Sequence, residues 1–69
     1  MMSITLKAAR VNKQMTQAEA AKMLGIAVDT LRQYEAGKTF PDVPMIQKIE
    51  ELYSVNYNDI NFFSFEKTV

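Results

Sequence analysis

Two residue types that carry much of protein chemistry are missing, because the 69-residue sequence has no cysteine and no histidine. Their absence excludes disulfides, thiolate nucleophiles and the usual zinc ligands, and it removes the side chain most used for acid–base catalysis near neutral pH. There is no glycine-rich loop to hold a phosphate, and the serines have no histidine to activate them. We therefore expect neither an enzyme nor a protein that holds a metal or another cofactor.

Long apolar runs are also missing. No stretch approaches the ~18–20 apolar residues that cross a bilayer, and residues 1–7 lack the basic segment and apolar stretch of a signal peptide. We expect a cytoplasmic protein with no membrane contact. The composition, 48% hydrophobic and 23% charged, is that of a globular chain. Its length leaves room for one domain, residues 1–69.

The charges are balanced in number but not in position. Eight Lys and Arg side chains match eight Asp and Glu, so the formal net charge is zero, which argues against strong non-specific attraction to polyanions. Residues 1–38 hold six basic and three acidic side chains, whereas residues 39–69 hold two and five. This asymmetry hints at a nucleic-acid surface on the first half of the chain.

The few glycines and capping residues predict two short helices joined by a tight turn. Thr16 and Glu19 have the spacing of a capping box, in which each side chain accepts from the backbone N–H of the other residue. They predict a helix over about residues 17–24, which Gly25 ends. A second helix follows over about residues 28–36. The helix-turn-helix arrangement therefore spans about residues 16–36.

Capping signals also predict the other helices. Thr5, Asp42 and Asn56 can each accept a hydrogen bond from a following N–H, and Pro44 is tolerated in a first helical turn. We expect an all-α fold of five short helices and no strand outside the ambiguous run at residues 62–65. The expected helices cover about residues 6–12, 17–24, 28–36, 43–53 and 57–61.

The apolar positions of these helices predict a small core, since a chain of this length buries only about 60% of its unfolded surface. Small side chains at Ala20 and Ala21 allow the following helix to cross closely. The expected core residues are Leu6, Ala9, Met15, Ala20, Ala21, Leu24, Ile26, Leu31, Tyr34, Ile46, Ile49, Tyr53, Val55 and Ile60.

The outer face of the third helix carries side chains that suit base edges. The Arg32 guanidinium fits guanine O6 and N7, the Gln33 amide fits adenine N6 and N7, and Asp29 can accept from cytosine N4. Val28, at the edge of this face, offers methyl groups to thymine. A polar helix face that merely contacts solvent has the same composition, so this pattern alone leaves both interpretations open.

A larger set of spaced residues covers the two central helices and the loop after them: residues 16–26 (TQAEAAKMLGI), Thr30, Leu31, Tyr34, Glu35, Gly37, Lys38 and Pro41. This set resembles the Cro/C1-type (XRE-like) helix-turn-helix domain of phage repressors and bacterial transcriptional regulators. The resemblance extends over roughly residues 6–60. It implies a domain whose third helix enters the major groove of double-stranded DNA, usually as a homodimer on a palindromic operator.

The resemblance also implies roles for individual residues. The residues at base-reading positions are Val28, Asp29, Arg32 and Gln33. Those at phosphate-contacting or positioning sites are Gln17, Lys38, Thr39 and Arg10. Arg10 and Glu35 match an internal ion pair between the first and third helices. Two residues depart from the pattern. Ala27 stands where a serine or threonine cap is common. Asp29 would repel phosphates, so it either reads cytosine or imposes a cost that sharpens specificity.

The aromatic C-terminal tail, residues 62–69, supports a second interpretation. It contains Phe62, Phe63 and Phe65, more aromatic side chains than so small a core can absorb. They either cover the core or form a dimer or partner surface. The alternative function is a protein-interaction module, similar to an antitoxin, antirepressor or adaptor, that keeps the helix-turn-helix scaffold.

Overall fold

The structure is a computed structural model that describes residues 3–61. This part of the chain contains four α-helices and one pair of two-residue strands. The aromatic surface expected at Phe62, Phe63 and Phe65 lies outside the described residues. In chain order the elements are β1 (Ile4–Thr5), α1 (Leu6–Asn12), α2 (Gln17–Leu24), α3 (Val28–Glu35), α4 (Val43–Tyr53), a 3₁₀ turn (Tyr57–Asp59) and β2 (Ile60–Asn61).

Three of the four α-helices in residues 3–61, α1, α2 and α4, begin where their capping residues predict. The Thr5 hydroxyl accepts from the N–H of Ala8 at 3.0 Å and caps α1. Thr16 and Glu19 form the full capping box of α2, with N–H donors at 3.1 and 2.9 Å from the opposing side-chain oxygens. The Asp42 carboxylate accepts from the first turn of α4 at 3.0 Å. Each bond satisfies a donor that the helix itself leaves unpaired.

The expectation of a fifth helix and of no strand is wrong. The N–H of Asp59 donates to the carbonyl of Asn56 at 2.8 Å, which closes a 3₁₀ turn, and Ile60 then has extended backbone angles of −93° and 128°. β2 pairs in parallel with β1, with Ile4 opposite Ile60. Pairing gives the two strands backbone partners, and the Ile60 side chain lies in the core.

The core lies between the helices, with α2 in contact with both α3 and α4, and α1 in contact with α3. Its buried apolar residues are Leu6, Ala9, Ala20, Ala21, Leu24, Leu31, Ile49, Tyr53 and Ile60. Four other expected members, Met15, Ile26, Tyr34 and Val55, are partly buried and pack against this cluster. The remaining one, Ile46, is half-buried. Ala20 and Ala21 are fully covered, as close crossing of α2 by its neighbours requires.

Candidate nucleic-acid interface

The turn between α2 and α3 is fixed by a left-handed glycine. Gly25 has a φ of 76°, a conformation that side chains with a Cβ adopt only at a cost. Its N–H donates to the carbonyl of Lys22 at 3.2 Å, and the N–H of Ile26 donates to that of Ala21 at 3.0 Å. These two bonds form a Schellman motif. They end α2 and direct the chain into α3.

The third helix is buried on one side and exposed on the other. Leu31 is fully buried, and Val28 and Tyr34 pack against the core. On the opposite side, the Arg32 and Asp29 side chains are 59% and 68% exposed. The helix is thus held by its apolar face and presents its polar face outward, as entry into a DNA groove requires.

Three of the four expected base-reading side chains are joined to one another. Asp29 Oδ1 accepts from Arg32 Nη1 at 2.6 Å, and Asp29 Oδ2 accepts from Gln33 Nε2 at 3.2 Å. The spacings i,i+3 and i,i+4 place these side chains side by side on the helix surface. Val28 lies outside this network, at the border with the core. Sequence reasoning placed these residues on one face but did not foresee their mutual bonds.

Beneath this face, Glu35 links the first three helices. Its carboxylate accepts from Arg10 Nε at 2.7 Å, from Arg10 Nη2 at 3.3 Å and from Gln17 Nε2 at 3.0 Å. Arg10 Nη1 also donates to the carbonyl of Met15 at 2.8 Å. The Arg10 and Glu35 side chains are only 9% and 6% exposed. The expected ion pair between α1 and α3 is therefore present, and it is buried.

This cluster bears on two of the expected phosphate contacts. The Arg10 guanidinium directs Nε, Nη1 and Nη2 at protein acceptors, which favours its bracing role over a direct contact with DNA. The Gln17 amide nitrogen donates one hydrogen to Glu35, and its second hydrogen is the donor left for a phosphate oxygen. Gln17, at the start of α2, is thus linked to the end of α3 through its hydrogen bond to Glu35.

The loop after α3 begins with a second left-handed glycine. Gly37 has a φ of 76°, its N–H donates to the carbonyl of Tyr34 at 3.1 Å, and the N–H of Lys38 donates to that of Gln33 at 3.0 Å. Lys38 and Thr39 are exposed. The backbone of this loop is thus hydrogen-bonded to α3, the helix that carries the polar face. Such a link would hold Lys38 and Thr39 in a fixed position relative to that face, as contacts with neighbouring phosphates require.

Tyr53, a core residue of α4, lies in the electrostatic field of the buried ion pair. The pKa of Tyr53 is raised to about 12, mainly by burial and then by the Glu35 charge, while the Arg10 charge acts in the opposite direction. The Tyr53 hydroxyl is buried and has no protein hydrogen-bond partner among the described residues. The phenol is therefore held in its neutral form.

Sequence reasoning missed several exposed apolar side chains: Val11, Met23, Phe40, Val43 and Tyr57. Val11, Met23 and Val43 lie on α1, α2 and α4, on the exposed sides of these helices. Within residues 3–61, no group of three or more Asp and Glu side chains is placed to hold a metal ion. No helix in the same part of the chain is long and apolar enough to cross a membrane.

Comparison with known proteins agrees with this geometry. A family model described as helix-turn-helix, of the Cro/C1-type (XRE) class, matches residues 6–60, so the chain belongs to this family. The family is one of DNA-binding transcriptional regulators. No curated protein and no solved structure matches the chain.

Proposed function

We propose that this helix-turn-helix protein is a sequence-specific repressor of the phage or prophage type, which inserts α3 into the major groove of its operator in the cytoplasm. The observation that carries the proposal is the exposed polar face of α3, set opposite fully buried Leu31. Arg and Gln side chains on such a face can each make a bidentate contact with a base edge. The proposed base-reading face consists of Val28, Asp29, Arg32 and Gln33.

The buried Arg10 and Glu35 pair supports this proposal because it fixes the angle at which α3 is presented. A recognition helix must hold its side chains to within a fraction of an ångström of the base edges. Glu35 lies at the end of α3 and binds side chains of α1 and α2. The exposed face therefore stands on a braced element rather than on a loop.

Phosphate contacts are proposed for Lys38, Thr39 and Gln17, near the two ends of the helix-turn-helix. Because such contacts carry no sequence information, Lys38→Ala should weaken binding to all duplexes alike. It should also make the slope of log affinity against log salt shallower by about 0.9.

Selection of bound sequences from a random DNA pool tests base reading. Arg32→Ala and Gln33→Ala should each abolish the preference at a different base position, at a cost of about 1–3 kcal/mol. Lys48→Ala is the matched control, since it removes one exposed positive charge from α4, and it should leave the preference intact. An equal fall of affinity for every sequence would identify Arg32 and Gln33 as phosphate contacts instead.

The same selection tests the proposed homodimer. A dimer should enrich an inverted repeat whose half-sites lie about 10 base pairs apart, centre to centre, or a multiple of that spacing. A single half-site with no symmetry would show that the protein binds DNA as a monomer.

A protein-interaction module is the second candidate, and the exposed apolar side chains favour it. Met23 and Val43 are each 66% exposed, and the aromatic tail adds Phe62, Phe63 and Phe65 to the apolar content of the chain. If the tail forms a dimer or partner surface, Phe63→Ser and Phe65→Ser should reduce the apparent size in size-exclusion chromatography. A monomer in every case would exclude a dimer formed by the tail, and a pool that enriches no DNA sequence would favour this second function.

A further inference from the structure

We propose that Asp29 is a positioning residue that reads no base itself, and that it sets Arg32 and Gln33 for a guanine and an adenine while limiting their attraction to random DNA. The inference rests on the proposed function, because it concerns how the base-reading face works. It departs from the role in which Asp29 would accept a hydrogen bond from cytosine.

The geometry supplies the first argument. Both oxygens of the Asp29 carboxylate accept from neighbouring side chains, Oδ1 from Arg32 at 2.6 Å and Oδ2 from Gln33 at 3.2 Å. A base could still use the remaining lone pairs, but only after approaching a carboxylate flanked by two larger side chains. Asp29 also has the shortest side chain of the three, so Arg32 and Gln33 extend further toward a ligand.

For Gln33, the carboxylate fixes which end of the amide faces outward. An ionised carboxylate only accepts hydrogen bonds, so the Gln33 nitrogen rather than the oxygen must lie next to it. One hydrogen of Nε2 is then used inside the protein. The second hydrogen and Oε1 remain, one donor and one acceptor, which is the pair that adenine N7 and N6 require. Without Asp29, the amide is free to rotate and to present its groups in either order.

For Arg32, the carboxylate holds one donor and leaves the others. A guanidinium has five N–H donors in one plane, and Asp29 uses one of those on Nη1. The remaining donors can still form the fork that guanine O6 and N7 accept. A guanidinium anchored at one nitrogen loses less rotational freedom when it binds.

Charge supplies the second argument. Arg32 and Asp29 together carry no net charge, and both side chains are more than half exposed. An unpaired Arg32 would bind phosphates of any sequence, since attraction to the backbone dominates non-specific affinity. Pairing with Asp29 offsets that attraction on every duplex. This lost affinity is regained only on duplexes whose guanine and adenine edges accept hydrogen bonds from the oriented Arg32 and Gln33 side chains. Asp29 therefore increases specificity by repelling the phosphates of every other duplex.

The test measures the affinity of wild type, Asp29→Ala and Glu51→Gln for the selected operator and for a random duplex at several salt concentrations. Asp29→Ala should bind the random duplex more tightly, with a salt slope steeper by about 0.9 as Arg32 reaches a phosphate. The preference at the guanine and adenine positions should relax together, lowering the operator-to-random ratio about tenfold or more. Glu51→Gln removes one exposed negative charge from α4, and its ratio should equal that of wild type.

A double variant tests whether the tighter binding of Asp29→Ala to random DNA acts through Arg32. In Asp29→Ala combined with Arg32→Ala, the salt slope should return to the wild-type value, because the guanidinium that Asp29 released is gone. The circular-dichroism melting curve of Asp29→Ala should stay within a few degrees of wild type, since an exposed ion pair contributes little to stability.

Three results would overturn the inference. Loss of preference at one cytosine position, with the other positions unchanged, would show that Asp29 reads a base directly. An unchanged operator-to-random ratio in Asp29→Ala would show that the pair is a surface contact only. A wild type that enriches no DNA sequence would overturn the proposed function as well, whereas the first two results leave that function intact.

Discussion

At the scale of single residues, Glu35 is the point at which three helices meet. Its carboxylate accepts from Arg10 on α1 and from Gln17 on α2. Removing two charges from water is costly, so a buried pair of this kind does not by itself make a protein more stable. Removing one partner is a different matter, because the other charge then stays buried and unpaired. The arrangement therefore makes correct packing of α3 a condition of folding.

Arg10→Ala should lower the free energy of unfolding by about 3–5 kcal/mol, since it leaves the Glu35 carboxylate in the interior without its ion-pair partner. Urea unfolding measures this loss. At a temperature where the variant is still folded, its affinity for DNA should also fall, because α3 is no longer braced.

Arg32→Ala is the matched control for stability, because it removes the same side chain from an exposed ion pair. Its free energy of unfolding should change by about 1 kcal/mol or less. Equal losses of unfolding free energy in the two variants would show that burial of the Arg10 and Glu35 pair has no energetic consequence. An unchanged Tm together with normal DNA binding in Arg10→Ala would contradict the bracing role.

Tyr53 predicts a loss of stability at high pH. Its pKa is raised to about 12 in the folded protein, against about 10 in an unfolded chain. The folded state therefore holds its proton more tightly, and this contribution is complete below pH 10. Between about pH 10 and pH 12, the free energy of unfolding should fall by up to about 1.4 kcal/mol per pH unit.

Tyr53→Phe isolates this effect, because it removes the ionisable hydroxyl and keeps the ring. The variant should lack the extra alkaline slope in urea unfolding, and at pH 7 it should be as stable as wild type or about 1 kcal/mol more stable. A Tyr53→Phe slope as steep as that of wild type would show that another group causes the alkaline loss.

At the scale of elements, α3 is the one α-helix within residues 3–61 that lacks a side-chain cap. Ala27 already has the extended backbone of a capping residue, with φ −72° and ψ 150°, but no side-chain oxygen. Ala27→Ser should therefore raise the free energy of unfolding by about 1 kcal/mol. Thermal unfolding followed by circular dichroism measures the gain.

Ala36→Ser is the control for this prediction, since Ala36 is also exposed and lies at the other end of α3. A serine there meets no unpaired helix N–H, and stability should change little. A gain of the same size at both positions would show that serine acts through the unfolded chain rather than through the cap.

The helices were predictable from sequence because their limits are local. Thr16, Glu19 and Gly25 fix the start and end of α2 by bonds that span three to five residues. The pairing of Ile4 with Ile60 is not local. Two-residue strands have no alternating pattern, and the same apolar isoleucine suits a helix or a strand. Asn56 is a cap, as its residue type predicts, but the partner strand decides the conformation of the residues after it.

At the scale of the whole molecule, Ile60 connects the last described segment to the core. It belongs to the buried cluster that also contains residues of α1, α2, α3 and α4. Ile60→Ala should lower the free energy of unfolding by about 2–4 kcal/mol. Because a domain this small unfolds as one unit, helical circular dichroism and tyrosine fluorescence should lose stability together.

Val43→Ala provides the comparison, since Val43 is 66% exposed, and its truncation should cost about 0.5 kcal/mol or less. If Ile60→Ala changed only tyrosine fluorescence and left helix melting untouched, the end of the chain would be a separate unit rather than a part of the core.

The composition of the candidate site was predictable, but its internal connections were not. Helical projection placed Asp29, Arg32 and Gln33 on the outer face, as the structure does. Which of these side chains bond to one another depends on rotamers, and no periodicity encodes them. For the same reason, Arg10 was expected both inside and at a phosphate, and only the three-dimensional structure shows where its nitrogens point.

The parallel pairing of β1 and β2 decides how the domain responds to mechanical force. A pull applied ahead of Ile4 and beyond Asn61 acts at opposite ends of two strands that run in the same direction. The bonds between the strands are then loaded simultaneously in shear and do not open one after another as in a zipper. Resistance to stretching should therefore be concentrated in the pairing of β1 with β2, and the helices should unfold only after these two strands have separated.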